Sequence, residues 1–204
     1  MLTSPPGAFG GMIQVTTANG ITIATPEPLS QNYIQYLLKQ DPAYDTSNMS
    51  YTEYAALFLQ GAAEYQSIIG SNNPDLSAFH KSGGKLLSWH GLADNLVPSG
   101  TTLNYRQHVD ALMGGTEAVD DFYRLFFAPG VNHCGAGYGP IPGAAFQQLV
   151  SWVENGTVPN VLAAQFVDVE GDVVNHDICK YPLVSKYIGG DAKAAGSYVC
   201  AKSF

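Results

Sequence analysis

Two short apolar runs, each opening into a glycine-rich loop and each followed by a helical pattern, constrain this chain more than any other feature. Lys85-Leu86-Leu87-Ser88-Trp89-His90 leads into Gly91-Leu92-Ala93-Asp94. The spacing then predicts a helix capped by Ser99 or Thr101, in which Leu103, Tyr105, His108, Val109 and Leu112 recur until Gly114-Gly115. Phe122 to Ala128 repeats the strand pattern and opens into Pro129-Gly130-Val131-Asn132-His133-Cys134-Gly135. Ala145, Phe146, Leu149, Val150, Trp152 and Val153 form the next amphipathic helix, ended by Gly156. Strand, helix, strand, helix is the order of an α/β chain with parallel strands and right-handed crossovers, which set the C-terminal ends of both strands on one edge of the sheet. Asp94 lies four residues beyond the first strand and His133 five beyond the second, so the two meet if the strands are near neighbours. Ligands of open α/β sheets bind at that edge. A carboxylate there holds an imidazole in one tautomer and stabilises its protonated form, which is what a hydrolase needs.

Upstream the reading is mostly helical. Residues 1–40 carry only Glu27 and Lys39 as charges, and Pro5, Pro6, Pro26 and Pro28 forbid a long helix among the first thirty. Their apolar residues are expected to pack on other sequence, including sequence outside this chain. From Ser30 as N-cap, Tyr33, Ile34, Leu37 and Leu38 recur at helical spacing until Asp41-Pro42. A second helix is predicted from Thr52 to Ile69, with Tyr54, Leu57, Phe58, Ala62, Tyr65 and Ile68 on its apolar side, and a short third one after Asn73-Pro74, closed by Gly83-Gly84.

Composition narrows the function classes. Only 13% of the 204 residues are charged while 46% are hydrophobic, so a core is available and disorder is excluded. A net charge of −8 without any basic run excludes nucleic acid, since phosphates are neutralised by clustered Lys and Arg. No apolar stretch reaches the roughly 18–20 residues of a membrane helix, so no membrane span is expected. Met1 opens no signal-peptide pattern, so the chain is either cytosolic or has its leader elsewhere. Three cysteines and two Asn-x-Ser/Thr sequons, at Asn48 and Asn155, favour the second option and a secreted, glycosylated protein. Cys179 and Cys200 sit in a segment rich in Gly, Pro and Tyr with no helix to hold it, and are expected to pair with each other. Cys134 is then left over, which points to a partner outside the chain.

Other chemistries fit less well. Cys134 as a nucleophile would need a base other than the adjacent His133, because neighbouring side chains rarely meet productively. His90 and Asp94 with His133 or His176 lack the tight ligand spacing of a metal site. His90 reads as a strand-end residue packing beneath the site, Trp89 and Trp152 as core, and Tyr138 as either a pocket-lining or a half-buried loop residue.

The stretch Pro74-Asp75-Leu76-Ser77-Ala78-Phe79, Gly83 to Asp94, and Phe122 to Phe126 with Pro129 to Gly135 strongly resembles the fungal tannase and feruloyl esterase family, over roughly residues 40 to 200. His133-Cys134 is its most specific element. The resemblance implies an α/β-hydrolase fold with a large lid and a Ser-His-Asp triad in which Asp94 is the acid and His133 the base. It also implies that Cys134 bridges to a cysteine directly before the serine. No Gly-x-Ser-x-Gly elbow and no Cys-Ser pair occurs in these 204 residues. The nucleophile is therefore expected on a companion chain of the same precursor, disulfide-linked through Cys134, as in fungal tannases cut within the lid. Residues 1–82 then read as the C-terminal part of the lid and 83–204 as the C-terminal part of the hydrolase core. The chemistry calls for no cofactor. Some relatives hold a calcium ion in the lid; this chain is read as having no Asp-rich loop that would hold one, so any such site is expected on the companion chain. The function implied is hydrolysis of phenolic-acid esters. Galloyl esters are favoured because of the apparent split into chains, with feruloyl esters as the alternative and a non-catalytic binding subunit as the rival from another class.

Overall fold

The computed structural model describes residues 13–26 and 28–202, which divide into two compact units, one up to Asn73 and one from Pro74. Pro5 and Pro6 lie outside the described residues. In the first unit, strands β1 (Ile13–Ala18) and β2 (Ile21–Pro26) form an antiparallel hairpin closed by Asn19-Gly20, both with positive φ. An Asn-Gly pair between two extended runs favours this turn, because its left-handed backbone matches the twist of the strands. Helix α1 (Pro28–Asn32) starts before Ser30 and continues as a π-helical turn over Tyr33–Leu38. Helix α2 (Tyr51–Ile69) begins one residue ahead of expectation because the Ser50 hydroxyl accepts the Glu53 N–H at 3.1 Å. Ile34, Leu38 and Leu57 form this unit's small core, ringed by Tyr33, Tyr44, Met49 and Tyr65. Gly61 lets Tyr33 lie close there, since a Cβ would stand 2.6 Å from the Tyr33 hydroxyl.

The second unit opens with helix α3 (Ser77–Lys81), whose Phe79 and His80 pack on Phe122. The division between the compact units thus falls before this helix. Strands β3 (Leu86–Gly91) and β4 (Tyr123–Ala128) are direct parallel neighbours, paired from Leu86↔Tyr123 to Gly91↔Ala128. Between them run α4 (Ser99–Leu112) and α5 (Thr116–Asp120), the latter not foreseen in the sequence. Tyr123 and Leu125 face α4 with Val109, while Phe126 and Ala128 face the opposite core of Val131, Leu162 and Ile178, against which Leu87, Trp89 and Ala145 of α6 (Ala145–Asn155) pack. β4 is more buried than β3 because it has a neighbour on each side: the Tyr181 N–H bonds the Leu125 carbonyl at 2.8 Å.

Two helix faces differ from expectation. On α4 the buried residues are Arg106, Val109 and Asp110, while Leu112 is exposed. Arg106 has no solvent exposure and satisfies itself on Asp110, Asp120 and the Tyr123 carbonyl, so the helix turns a charged network inward. On α6, Trp152 is buried as expected but Phe146 and Val153 are exposed. The remaining chain forms three short antiparallel pairs: β5 (Val161–Leu162) with β8 (Ile178–Cys179), β6 (Gln165–Val167) with β7 (Val173–Asn175), and β9 (Val184–Tyr187) with β10 (Tyr198–Ala201). None of these strands was legible as periodicity, since each is two to four residues long. Among the described residues no helix is long and apolar enough to cross a membrane.

Candidate active site

Parallel pairing of β3 and β4 places their following loops side by side, and Gly91 sets how closely they approach. A Cβ on Gly91 would stand 2.2 Å from the Val131 carbonyl oxygen. The loops are stitched by Leu92 N–H to the Ala128 carbonyl at 2.9 Å and Ala93 N–H to the Val131 carbonyl at 3.0 Å. The loop after β4 folds back on itself, with Asn132 N–H on the Ala136 carbonyl and Tyr138 N–H on the Gly130 carbonyl. Gly139 makes this possible, because a Cβ there would meet the Pro129 carbonyl oxygen at 1.9 Å.

The result is contact between Asp94 and His133. His133 Nδ1 stands 3.1 Å from Asp94 Oδ2. The Asp94 side chain is 7% exposed and that of His133 27%, so the carboxylate is enclosed while the imidazole reaches the surface. Asp94 Oδ1 accepts the Leu96 and Val97 backbone N–H groups at 2.9 and 2.8 Å. Burial pushes the Asp94 carboxyl up, but the bonds from Val97, His133 and Leu96 outweigh it and hold it below the ordinary carboxylate value. An ionised Asp94 fixes the proton of a neutral His133 on Nδ1, leaving Nε2 with the lone pair of a general base.

One residue of the site was read differently in the sequence. The sequence pattern puts His90 beneath the site as packing; in the structure its Nε2 lies 3.3 Å from Asp94 Oδ2 and 2.9 Å from the Val97 carbonyl oxygen, and its Nδ1 lies 2.7 Å from Thr102 Oγ1. The signal available was position: residues 86, 88 and 90 alternate onto the α4 side of the strand, four residues ahead of the acid. His176 is not in this group and bonds Ser185 Oγ at 2.9 Å. Neither Ser99 nor Thr101 caps α4, which begins after Pro98 without a side-chain cap.

The tannase and feruloyl esterase family model matches residues 6–201. The chain belongs to that family. It is 43% identical over 205 residues to a probable feruloyl esterase of Arthroderma benhamiae, covering 98% of this chain and 38% of that protein. To the tannase of Aspergillus oryzae it is 34% identical over 138 residues, 63% of this chain and 24% of that one. Among solved structures, tannin acyl hydrolase from Aspergillus niger superposes with a TM-score of 0.80 at 27% identity, covering 93% of this chain and 36% of that one. Feruloyl esterase B from Aspergillus oryzae does so with a TM-score of 0.73, also at 27% identity, covering 87% and 38%. The chain thus spans 38% or less of the length of these family members.

The cysteines of this family member divide as follows. Cys179 and Cys200 form a disulfide joining β8 to β10. Cys134 is exposed, bonded to no cysteine of this chain, and sits in the left-handed region with φ 55°. That conformation costs a non-glycine residue roughly 1–2 kcal/mol. Asn48 and Asn155 are both exposed, and Tyr138 is 66% exposed.

The chain does contain an acidic turn, contrary to the reading that it has no Asp-rich loop: Asp168, Glu170 and Asp172 bring carboxylate oxygens within 4.8 Å of one another. Lys193 Nζ sits among them, at 2.8, 3.0 and 2.6 Å, and draws Asp168 below the ordinary carboxylate value. A lysine ammonium already supplies the cation, so these residues do not fit a calcium ion as they stand.

Proposed function

We propose that this chain is the Asp- and His-bearing part of a secreted serine carboxylic ester hydrolase acting on phenolic-acid esters. The observation that carries the reading is the 3.1 Å bond from His133 Nδ1 to a buried, ionised Asp94 at the C-terminal edge of a parallel strand pair. In the proposed architecture, residues 83–204 are the C-terminal part of an α/β-hydrolase core and 1–82 the C-terminal part of its lid. The serine comes from a companion chain of the same precursor, linked through Cys134. Among the described residues β3 pairs only with β4, and its other edge is where a further parallel strand would add.

The chemistry then runs through groups on two chains. The companion serine attacks the ester carbonyl and His133 Nε2 takes its proton, while Asp94 stabilises the imidazolium. His133 returns the proton to the departing alcohol, leaving an acyl-serine. Water, giving its proton to the same nitrogen, attacks this acyl group; the proton passes back to the serine oxygen as the phenolic acid leaves.

The sequence taken alone favours galloyl esters. The 43% identity to a probable feruloyl esterase, against 34% over a shorter stretch to a tannase, supports feruloyl esters as first choice. The assembled two-chain protein is expected to hydrolyse a ferulate ester faster than a gallate ester, and a serine-directed phosphonate should abolish both activities and label the companion chain. Labelling of neither chain, with no turnover, would leave the binding-subunit reading. Asp94→Asn should lower kcat by about four orders of magnitude, the loss that the same substitution causes in a serine-protease triad. Ordinary turnover in that variant removes Asp94 from the mechanism.

A further inference from the structure

We infer that His90 is a positioning residue for the Asp94–His133 pair, presenting its Nε2–H beside the carboxylate oxygen that His133 also uses. The proton assignment follows from what surrounds the ring. Nε2 faces two groups that only accept, the Val97 carbonyl oxygen at 2.9 Å and Asp94 Oδ2 at 3.3 Å. A bare nitrogen there would meet two oxygen lone pairs, so Nε2 carries a hydrogen, which bonds the Val97 carbonyl and leaves its positive end beside Asp94 Oδ2 as the longer contact. Nδ1 faces Thr102 Oγ1 at 2.7 Å, and a hydroxyl serves it as donor or acceptor.

Asp94 is then held at both oxygens. Oδ1 takes two backbone N–H groups, and Oδ2 takes the His133 ring from the loop after β4 while His90 Nε2 of β3 stands 3.3 Å away. The backbone pair fixes the loop that carries the acid. The two rings at Oδ2 fix the rotation of the carboxylate, because His90 sits on a rigid strand and is in turn held by α4 through Thr102. A carboxylate that is 7% exposed has little water to replace a lost donor. Removing His90 leaves Oδ2 with one donor that itself moves through the reaction, so the aim of Asp94 at His133 loosens while the ester-binding surface is untouched.

The kinetic consequence rests on the proposed esterase function; the proton assignment does not. In the assembled enzyme, His90→Phe keeps the ring and removes the donor, and its kcat on a ferulate ester should fall about tenfold or more, as loss of a donor beside a poorly hydrated charge implies. KM should stay within about twofold, because ground-state binding is unchanged. His90→Gln, whose amide nitrogen lies as many bonds from Cα as Nε2 does, should recover most of the loss. An unchanged kcat in the Phe variant, or equal losses in both variants, overturns the proposal. If the Phe variant fails to fold, nitrogen chemical shifts of the labelled wild-type assembly decide: a proton on His90 Nε2 is expected, and an Nδ1–H tautomer with bare Nε2 overturns it. A wild-type assembly inactive on both ester classes defeats the esterase reading, and the nitrogen shifts then judge the role of His90 alone.

Discussion

At the scale of single residues, Gly91 and Asp94 set how the loops after β3 and β4 meet. Any side chain at position 91 meets backbone, not a flexible tip, so Gly91→Ala must push the Val131–Asn132 segment away. This should cost about 1–3 kcal/mol of stability and displace His133, so the variant should melt earlier and lose turnover together. Loss of neither property would show that the loops approach less closely than the fold implies. Asp94 also carries a pH signature. Its carboxyl is held below the ordinary value, so its ionised form contributes stability that is complete above about pH 5 and is lost as pH falls below the unfolded value of about 3.9 and through the folded one. The Tm difference between wild type and Asp94→Asn should therefore be constant near neutrality and shrink in acid. A difference that persists undiminished at low pH would refute the assignment of Asp94 as ionised and bonded. Asp94 and His133 were both legible in the sequence because each follows a strand within a glycine-rich loop. The link from His90 to the same oxygen was not, because an apolar strand pattern says which side a residue faces but not which acceptor waits there.

Among the elements, α4 is the informative case. Its apolar spacing predicted a helix correctly and placed Val109 and Tyr105 on the packed side, but His108 and Leu112 are exposed and the chain buries Arg106 and Asp110 instead. Arg106 Nε bonds Asp110 at 2.7 Å and its terminal nitrogen bonds Asp120 on α5 at 2.7 Å, and Lys180 adds a second cation to Asp120. The network ties α4, α5, β4 and the C-terminal segment together. Arg106→Met should destabilise by about 3–5 kcal/mol, because Asp110 is left without its cation in a poorly solvated place, while Asp120 keeps only Lys180. Chemical denaturation would measure it, and a loss below about 1 kcal/mol would mean that water reaches the network. Helix α5 and the short strands escaped the reading for a related reason. Five residues of helix or two of strand carry too little periodicity to register, and they form because distant partners complete their hydrogen bonds.

For the whole molecule, covalent links are the testable feature. The Cys179–Cys200 disulfide spans 21 positions and ties together strands too short to hold alone, so its reduction should cost about 3 kcal/mol in the chain-entropy model. Loss of structure confined to the segment after α6, read by hydrogen exchange, is the expected pattern. Non-reducing mass mapping of the assembled protein should find Cys134 joined to a peptide absent from this sequence. A free Cys134 thiol in that preparation would refute the disulfide-linked companion.

By itself the sequence determined the order of strands and helices, the two glycine-rich loops and the acid and imidazole they carry, because apolar periodicity and turn residues act over a few neighbouring positions. Tertiary structure alone decided which polar groups are buried. Arg106 and His90 each find carboxylates, and a charged or polar side chain goes inside only where such partners, often distant in sequence, already wait.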